Sequence, residues 1–240
     1  MADLNDRHPV DILLNTIDRM NLVDLTHPLE ANMPVWPGHP HFCQEVRSSL
    51  QLGDVSCWHA VSMGEHTGTH FDAPSHFIRN GWSISEAQLE KFFGRMVTID
   101  AQGMEARAAV DPEKILAWEA EHGSIAPRDA VFFHFGWDRL WTDRHREFLA
   151  DWPGLSRTTS ELMVERGVRI VGSDCLSIDC FGSTDFPAHH TLLGAGILIG
   201  ENFANLGRLQ PICYLGALPL PIVNGSGSPL RAIAFVPRTV

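Results

Sequence analysis

The chain has 240 residues, 44% of them hydrophobic and 20% charged, with a formal net charge of -11. These are the proportions of an ordinary globular protein, which excludes the disordered and fibrous classes, and so acidic a chain with no Lys/Arg-rich stripe repels nucleic acid. The longest apolar runs, such as Ala130-Val-Phe-Phe, stop far short of the roughly 20 residues that a membrane span needs, and Met1-Ala-Asp-Leu-Asn-Asp lacks the basic-then-apolar pattern of a signal peptide.

Val10, Leu13, Leu14, Ile17 and Met20 fall at helical spacing and predict an amphipathic N-terminal helix over residues 9–20. It forms an arm, residues 1–22, on a single domain spanning residues 1–240. Four prolines between Pro28 and Pro40, with Gly38 and an exposed Trp36, predict a loop. Met96-Val-Thr-Ile reads as a strand. Asp111-Pro112-Glu113 starts a helix, with a capping residue before proline at the first helical position, and Gly123 stops it. Ala130-Val-Phe-Phe-His-Phe is a second strand, in which His134 is a core histidine. Thr158-x-x-Glu161 predicts a capping box for a further helix that ends at Gly167. Val168-Arg-Ile-Val, Gly196-Ile-Leu-Ile, Leu218 to Val223 and Ala232 to Val236 complete the strands. Strands alternating with helices argue an α/β fold, and the strand-rich ends add antiparallel or mixed pairing.

Cys43, Cys57, Cys175, Cys180 and Cys213 are odd in number and form no C-x-x-C pair. Reduced thiols in a cytoplasmic protein are expected, with Cys57 and Cys175 as small buried residues. No G-x-S-x-G elbow is present, and Leu193-Gly-Ala-Gly196 does not match a nucleotide-binding loop. Asp174 and Asp179 follow a strand, where support of a site and plain turn capping are equal readings.

Histidine is abundant, at 13 residues, and four of them lie between His59 and His76. The segment His66-Thr-Gly-Thr-His70-Phe-Asp72-Ala-Pro-Ser-His76 carries the chemistry. On a helix Asp72 would sit about 240° from His66, and Gly68 and Pro74 disfavour a helix interior. On an extended chain the four even-numbered side chains point to one side. A strand running into a loop then gathers three imidazoles and a carboxylate. That donor set suits Zn²⁺, Mn²⁺ or Fe²⁺ and leaves coordination positions open, the mark of a catalytic site. The H-E-x-x-H pattern is absent, so the general base comes from elsewhere, and His76 is the nearest candidate.

At these residues the chain resembles the cyclase family of metal-dependent hydrolases, which includes bacterial kynurenine formamidases, isatin hydrolases and trans-dienelactone hydrolases. His66 to His76 matches every fixed position of the family's H-x-G-T-H-x-D-x-P-x-H signature. Val23-Asp-Leu-Thr-His-Pro-Leu, Met33-Pro-Val-Trp36-Pro-Gly, Asp185-Phe-Pro-Ala-His189, Gly200-Glu201-Asn and Gly225-Ser-Gly-Ser-Pro-Leu-Arg231 extend the likeness from about Asp24 to Pro237. The resemblance implies a swivelling β/β/α domain with a mixed sheet, generally a homodimer. It implies that His66, His70 and Asp72 hold a first metal, and that Asp72, His189 and Glu201 build a second site, with His189 or its neighbour His190 as the distal ligand. His76 becomes the proton donor and acceptor, and Trp36 lines the substrate pocket. Both zinc and manganese, one ion or two, stay open.

The expected reaction is attack of metal-activated water on a cyclic or N-acyl arylamide C–N bond, as in isatin or N-formylkynurenine, with Trp36, Phe42 and Phe71 offering surface to a flat ring. A dienelactone-type lactone hydrolase and a metal-dependent lyase or cyclase are the alternatives. A metal-binding protein without catalysis would need no base such as His76.

Overall fold

The computed structural model describes residues 8–238. Helix α1 (Pro9–Ile17) opens with proline in its first turn, and the His8 side chain accepts from the Val10 amide. The helix ends at Ile17, because Met20 already belongs to strand β1 (Met20–Asp24). The proline-rich stretch that follows is irregular, as expected. Strands β2 (Cys43–Ser48) and β3 (Trp58–Ser62) form a separate antiparallel ribbon. Next come β4 (His70–Asp72), β5 (Phe93–Asp100), β6 (Ala109–Val110), α2 (Pro112–His122) and β7 (Ala130–His134). The chain continues through α3 (His145–Phe148), β8 (Gly154–Leu155), α4 (Arg157–Glu165), β9 (Ile170–Ser173) and α5 (Pro187–Gly194). Strands β10 (Leu198–Glu201), β11 (Ile212–Pro219) and β12 (Gly227–Pro237) complete it.

The mixed sheet expected from the sequence is present, and it closes on itself. Strands β5, β7, β9 and β10 run parallel. Antiparallel β11, β12 and β4 carry the ring round from β5 back to β10, with β1 added outside β12. The closing pairs, Asp72 with Gly227 and His70 with Pro229, lie far apart in sequence. The result is a seven-stranded mixed barrel with helices outside it. The swivelling β/β/α domain with a mixed sheet that the resemblance implied did not include this closure.

Alternation along the strands sorts the core into two parts. Phe71, Phe132, Ile170, Leu198, Leu215 and Ala232 fill the barrel. Their strand neighbours Val131, Phe133, Val171 and Ile199 pack outward against Ile115 and Trp118 of α2, Met163 of α4 and Leu192 of α5. Gly172 is required where the Phe132 ring crosses β9, since a Cβ there would collide with that ring.

Three local expectations are corrected. Helix α4 is capped by Ser156, whose hydroxyl accepts from the Thr159 amide at 3.1 Å, so Thr158 lies inside the first turn and no Thr158–Glu161 box forms. Asp111 stands at the N-cap of α2, but its side chain makes no capping bond. Cys57 is exposed, whereas Cys175 is buried as expected. No described helix is long and apolar enough to cross a membrane.

Candidate active site

Only His70 and Asp72 sit on the short strand β4, where alternation sends both side chains to the same side. His66 precedes it in a loop that turns at Gly68, with φ of 64°. His76 follows it on a single tight turn, Pro74–His76. The four residues converge, but the chain is not one extended strand through them. Pairing of β4 with β10 sets Glu201 opposite His70, and α5 brings in His189.

The carboxylate of Asp72 is the hub. His66 Nδ1 lies 2.6 Å and His70 Nε2 3.2 Å from its Oδ1, and His189 Nε2 lies 3.5 Å from its Oδ2. Glu201 faces His70 Nε2 at 3.5 Å and His189 Nε2 at 3.4 Å. His70, Asp72, His189 and Glu201 are buried. His190, by contrast, is exposed, so the geometry brings His189 and not His190 to the cluster. His76 stacks on His66 with ring centroids 4.0 Å apart.

Outer hydrogen bonds orient each imidazole. His70 Nδ1 donates to the Gly68 carbonyl at 2.8 Å, which turns Nε2 towards Asp72 and Glu201. His189 Nδ1 donates to Asp179 at 2.6 Å, and Asp179 also accepts from the Ala188 and His189 amides. The Ser226 hydroxyl donates to Glu65 at 2.8 Å and lies 2.9 Å from His66 Nε2, and His66 Nδ1 donates to the Asp72 carboxylate. The Ile178 amide donates to Glu201.

His70 Nε2 and Asp72 Oδ2 are buried without hydrogen-bond partners. Such atoms cost free energy unless something binds them. Donors about 2.1 Å from one tetrahedral ion lie roughly 3.4 Å apart, close to the spacings of 3.2 to 3.5 Å found around His70 and His189. A divalent metal therefore fits these residues by chemistry and by spacing. Donor atoms of His66, Asp72 and His76 lie within 4.8 Å of one another, as do those of His70, Asp72 and Glu201.

Burial alone would raise the Asp72 carboxyl, but His66, His189 and His70 hold it well below the usual carboxylate range. Burial would lower His70 and His189; the carboxylates around them outweigh it and raise both. His76 has no such carboxylate contact, and burial depresses it to about 4 despite the pull of Asp72.

The cluster opens into a pocket of about 180 Å³. Trp36 and His39 stand on its wall, held together by a turn in which the His39 amide donates to the Trp36 carbonyl at 2.9 Å and Gly38 adopts φ of 92°. Trp36 is half-buried rather than exposed. Phe77, which stacks on His189 at 4.5 Å, and Phe186 supply the remaining aromatic surface. Phe71 is wholly buried in the barrel, and Phe42 packs on the outer core, so neither offers the ring surface expected of it.

The model of the Cyclase family, described as "Putative cyclase", matches residues 23–180. The chain belongs to the Cyclase family. It is 32% identical to a kynurenine formamidase of Geobacillus thermodenitrificans, over 88% of this chain and 95% of that one. It is 31% identical to an isatin hydrolase of Roseibium aggregatum, over 91% and 93% respectively. Among solved structures, isatin hydrolase A of Labrenzia aggregata bound to benzyl benzoate superposes with a TM-score of 0.89 at 33% identity, covering 96% of this chain and all of that one.

Reading the sequence alone assigned no role to Glu65, Ser226, His39, Phe77 and Phe186. Ser226 lies inside the Gly-Ser-Gly-Ser segment that the sequence already singled out, and Glu65 adjoins His66. No sequence signal marked the aromatic pair. Asp179 supports the site through His189, whereas Asp174 caps the backbone at Phe135 and Trp137.

Proposed function

We propose that the protein is a metal-dependent hydrolase of cyclic or N-acyl arylamide C–N bonds, acting on an isatin-type lactam in preference to N-formylkynurenine. The observation that carries the reading is the pair of unpartnered buried atoms, His70 Nε2 and Asp72 Oδ2, of which His70 lines an aromatic pocket and Asp72 lies directly behind it. His66, His70, Asp72, His189 and Glu201 would hold Zn²⁺ or Mn²⁺, as one ion or as two sharing Asp72. The ion supplies Lewis-acid polarisation of the carbonyl and water of lowered pKa.

The protein's own groups do the rest. Trp36, Phe77 and Phe186 hold the flat ring and keep bulk water away. Water oxygen bonds to the carbonyl carbon, the C–N bond breaks, and the nitrogen leaves as the arylamine. His76 takes a proton from the water and returns it to that nitrogen. Its stacking on His66 fixes the plane of the ring for both transfers.

The pocket wall supports the preference between substrates. It carries no Lys or Arg. The side arm of N-formylkynurenine bears an α-carboxylate, whose desolvation would find no Lys or Arg there. Isatin is neutral and planar.

A homodimer accompanies this reading. Val10, Leu13 and Leu14 of α1 and Val46, Trp58 and Val61 of the β2–β3 ribbon are all more than half exposed, two groups of apolar side chains suited to contact with a second copy. A molar mass of one chain at micromolar concentration would contradict it.

The test uses protein stripped with chelator and reloaded with Zn²⁺ or Mn²⁺. Reloading is expected to restore hydrolysis of isatin above that of N-formylkynurenine. Inactivity towards both with metal bound would contradict the amide reading and turn the search to lactones, or to a lyase that consumes no water.

A further inference from the structure

A second cavity, of about 210 Å³, lies beside the catalytic pocket. Trp36, Ser177 and Phe186 belong to the walls of both, so these side chains are the partition between them. Beyond the partition the wall is formed by Leu149, Trp152 and Phe181. The rings of Trp152 and Phe181 are fixed. Trp152 meets Phe181 edge-on at 4.8 Å and Trp36 at 6.0 Å, and its indole N–H donates to the Asp179 carbonyl at 2.9 Å. Arg107 covers the Phe181 ring at 4.7 Å without itself lining the cavity. No charged side chain faces the space.

Phe186 occupies the partition at a conformational cost. It is an aromatic residue in the left-handed region, with φ of 43°, at the start of the helix that carries His189. Bulky residues avoid that region, and such strain persists where the surroundings over-determine it. Here the Phe186 amide donates to the Ser183 hydroxyl, its carbonyl accepts from the His190 amide, and its ring tilts against Phe77 at 5.4 Å. The strain therefore sets this ring between the two cavities.

We propose that the second cavity is a substrate subsite that receives an uncharged aromatic or alkyl substituent carried on the ring in the catalytic pocket. The proposal rests on the arylamide reading above and narrows its substrates to ring-extended, apolar ones. The volume suffices, since roughly 150 Å³ of apolar space accommodates a benzene ring. Phe186 and Trp36 then contact the substrate on two sides, as the rim of the first pocket and the entrance of the second.

The test is binding, so that it does not depend on turnover. Calorimetry on metal-loaded protein compares 2-aminobenzoate with its 3-, 4-, 5- and 6-phenyl derivatives. At least one derivative is expected to bind ~10-fold or more tightly than the parent, the scale of burying a phenyl group. Leu149→Trp, which fills the cavity, is expected to bring that ratio back to about one. Phe181→Ala, which removes a wall, should reduce it several-fold, with the melting temperature of each variant reporting on its fold. Equal binding of the parent and all four derivatives, or a gain that survives Leu149→Trp in folded protein, overturns the proposal. Isatin turnover is measured alongside. A phenyl gain without isatin hydrolysis would keep the subsite and reject the reaction.

Discussion

Around Asp72 and around Asp174 the fold assembles the same residue types, with histidine and carboxylate donor atoms within 4.8 Å of one another. Both aspartates are fully buried. They differ in what occupies their lone pairs. The Asp174 oxygens accept from the Phe135 amide at 2.9 Å and the Trp137 amide at 2.7 Å, and neighbouring Asp138 accepts from the Asn205 amide at 2.7 Å. That cluster pins the end of β7 to the end of β9. Asp72 has an oxygen with no hydrogen-bond partner, next to a nitrogen in the same condition on His70, which lines a pocket. Residue type alone does not distinguish a site from a staple. Unsatisfied donors that face a cavity do.

The contrast can be broken at several points. His76→Ala should lower kcat on isatin roughly 10²–10⁴-fold while metal stays bound, the scale of acid–base catalysis; near-normal turnover would remove His76 from the reaction. Asp174→Ala should cost about 2–4 kcal/mol of stability, because two buried amides lose their acceptor, and should leave metal content untouched. Denaturant titration with metal analysis checks both halves of that statement.

Another buried imidazole sharpens the comparison through pH. His27 stacks on Trp141 at 4.1 Å. Burial depresses it from 6.5 to about 4, against the opposing pull of Asp24. Below pH 6.5 the unfolded chain therefore takes up a proton that the folded chain refuses until about pH 4. Stability is whole above the unfolded value and falls by up to roughly 3 kcal/mol as pH drops through that window. His27→Phe should flatten this slope, and an unchanged slope would locate the acid sensitivity elsewhere. The smallest effect is expected at Asp179→Asn, which loosens the orientation of His189 and should weaken metal binding about 10–100-fold, as measured by competition with a chelator.

The sequence carried the chemical centre because its spacing is local. Even-numbered positions on β4 bring His70 and Asp72 together by strand geometry, and the flanking loop and turn deliver His66 and His76 nearby. Barrel strands β5, β7, β9, β10 and β12 were legible from their apolar runs, whereas of Leu218 to Val223 only Leu218 and Pro219 belong to a strand, as the end of β11, and residues 220–223 are loop. Barrel closure was not legible, because it depends on β12 meeting β4 across more than 150 residues, and no local signal encodes that pairing. The phase of α5 decides between His189 and His190, and only packing against the barrel sets it. The same holds for the aromatic residues: Phe71 and Phe77 look alike in sequence, but one fills the barrel and the other walls the pocket.

The most direct test of the account is metal content in Asp72→Ala beside Asp174→Ala, both purified folded and dialysed against Zn²⁺ or Mn²⁺. The account predicts that the first loses stoichiometric metal and isatin hydrolysis together, while the second keeps both. Stoichiometric metal in Asp72→Ala, or its loss only in Asp174→Ala, would contradict the placement of the centre.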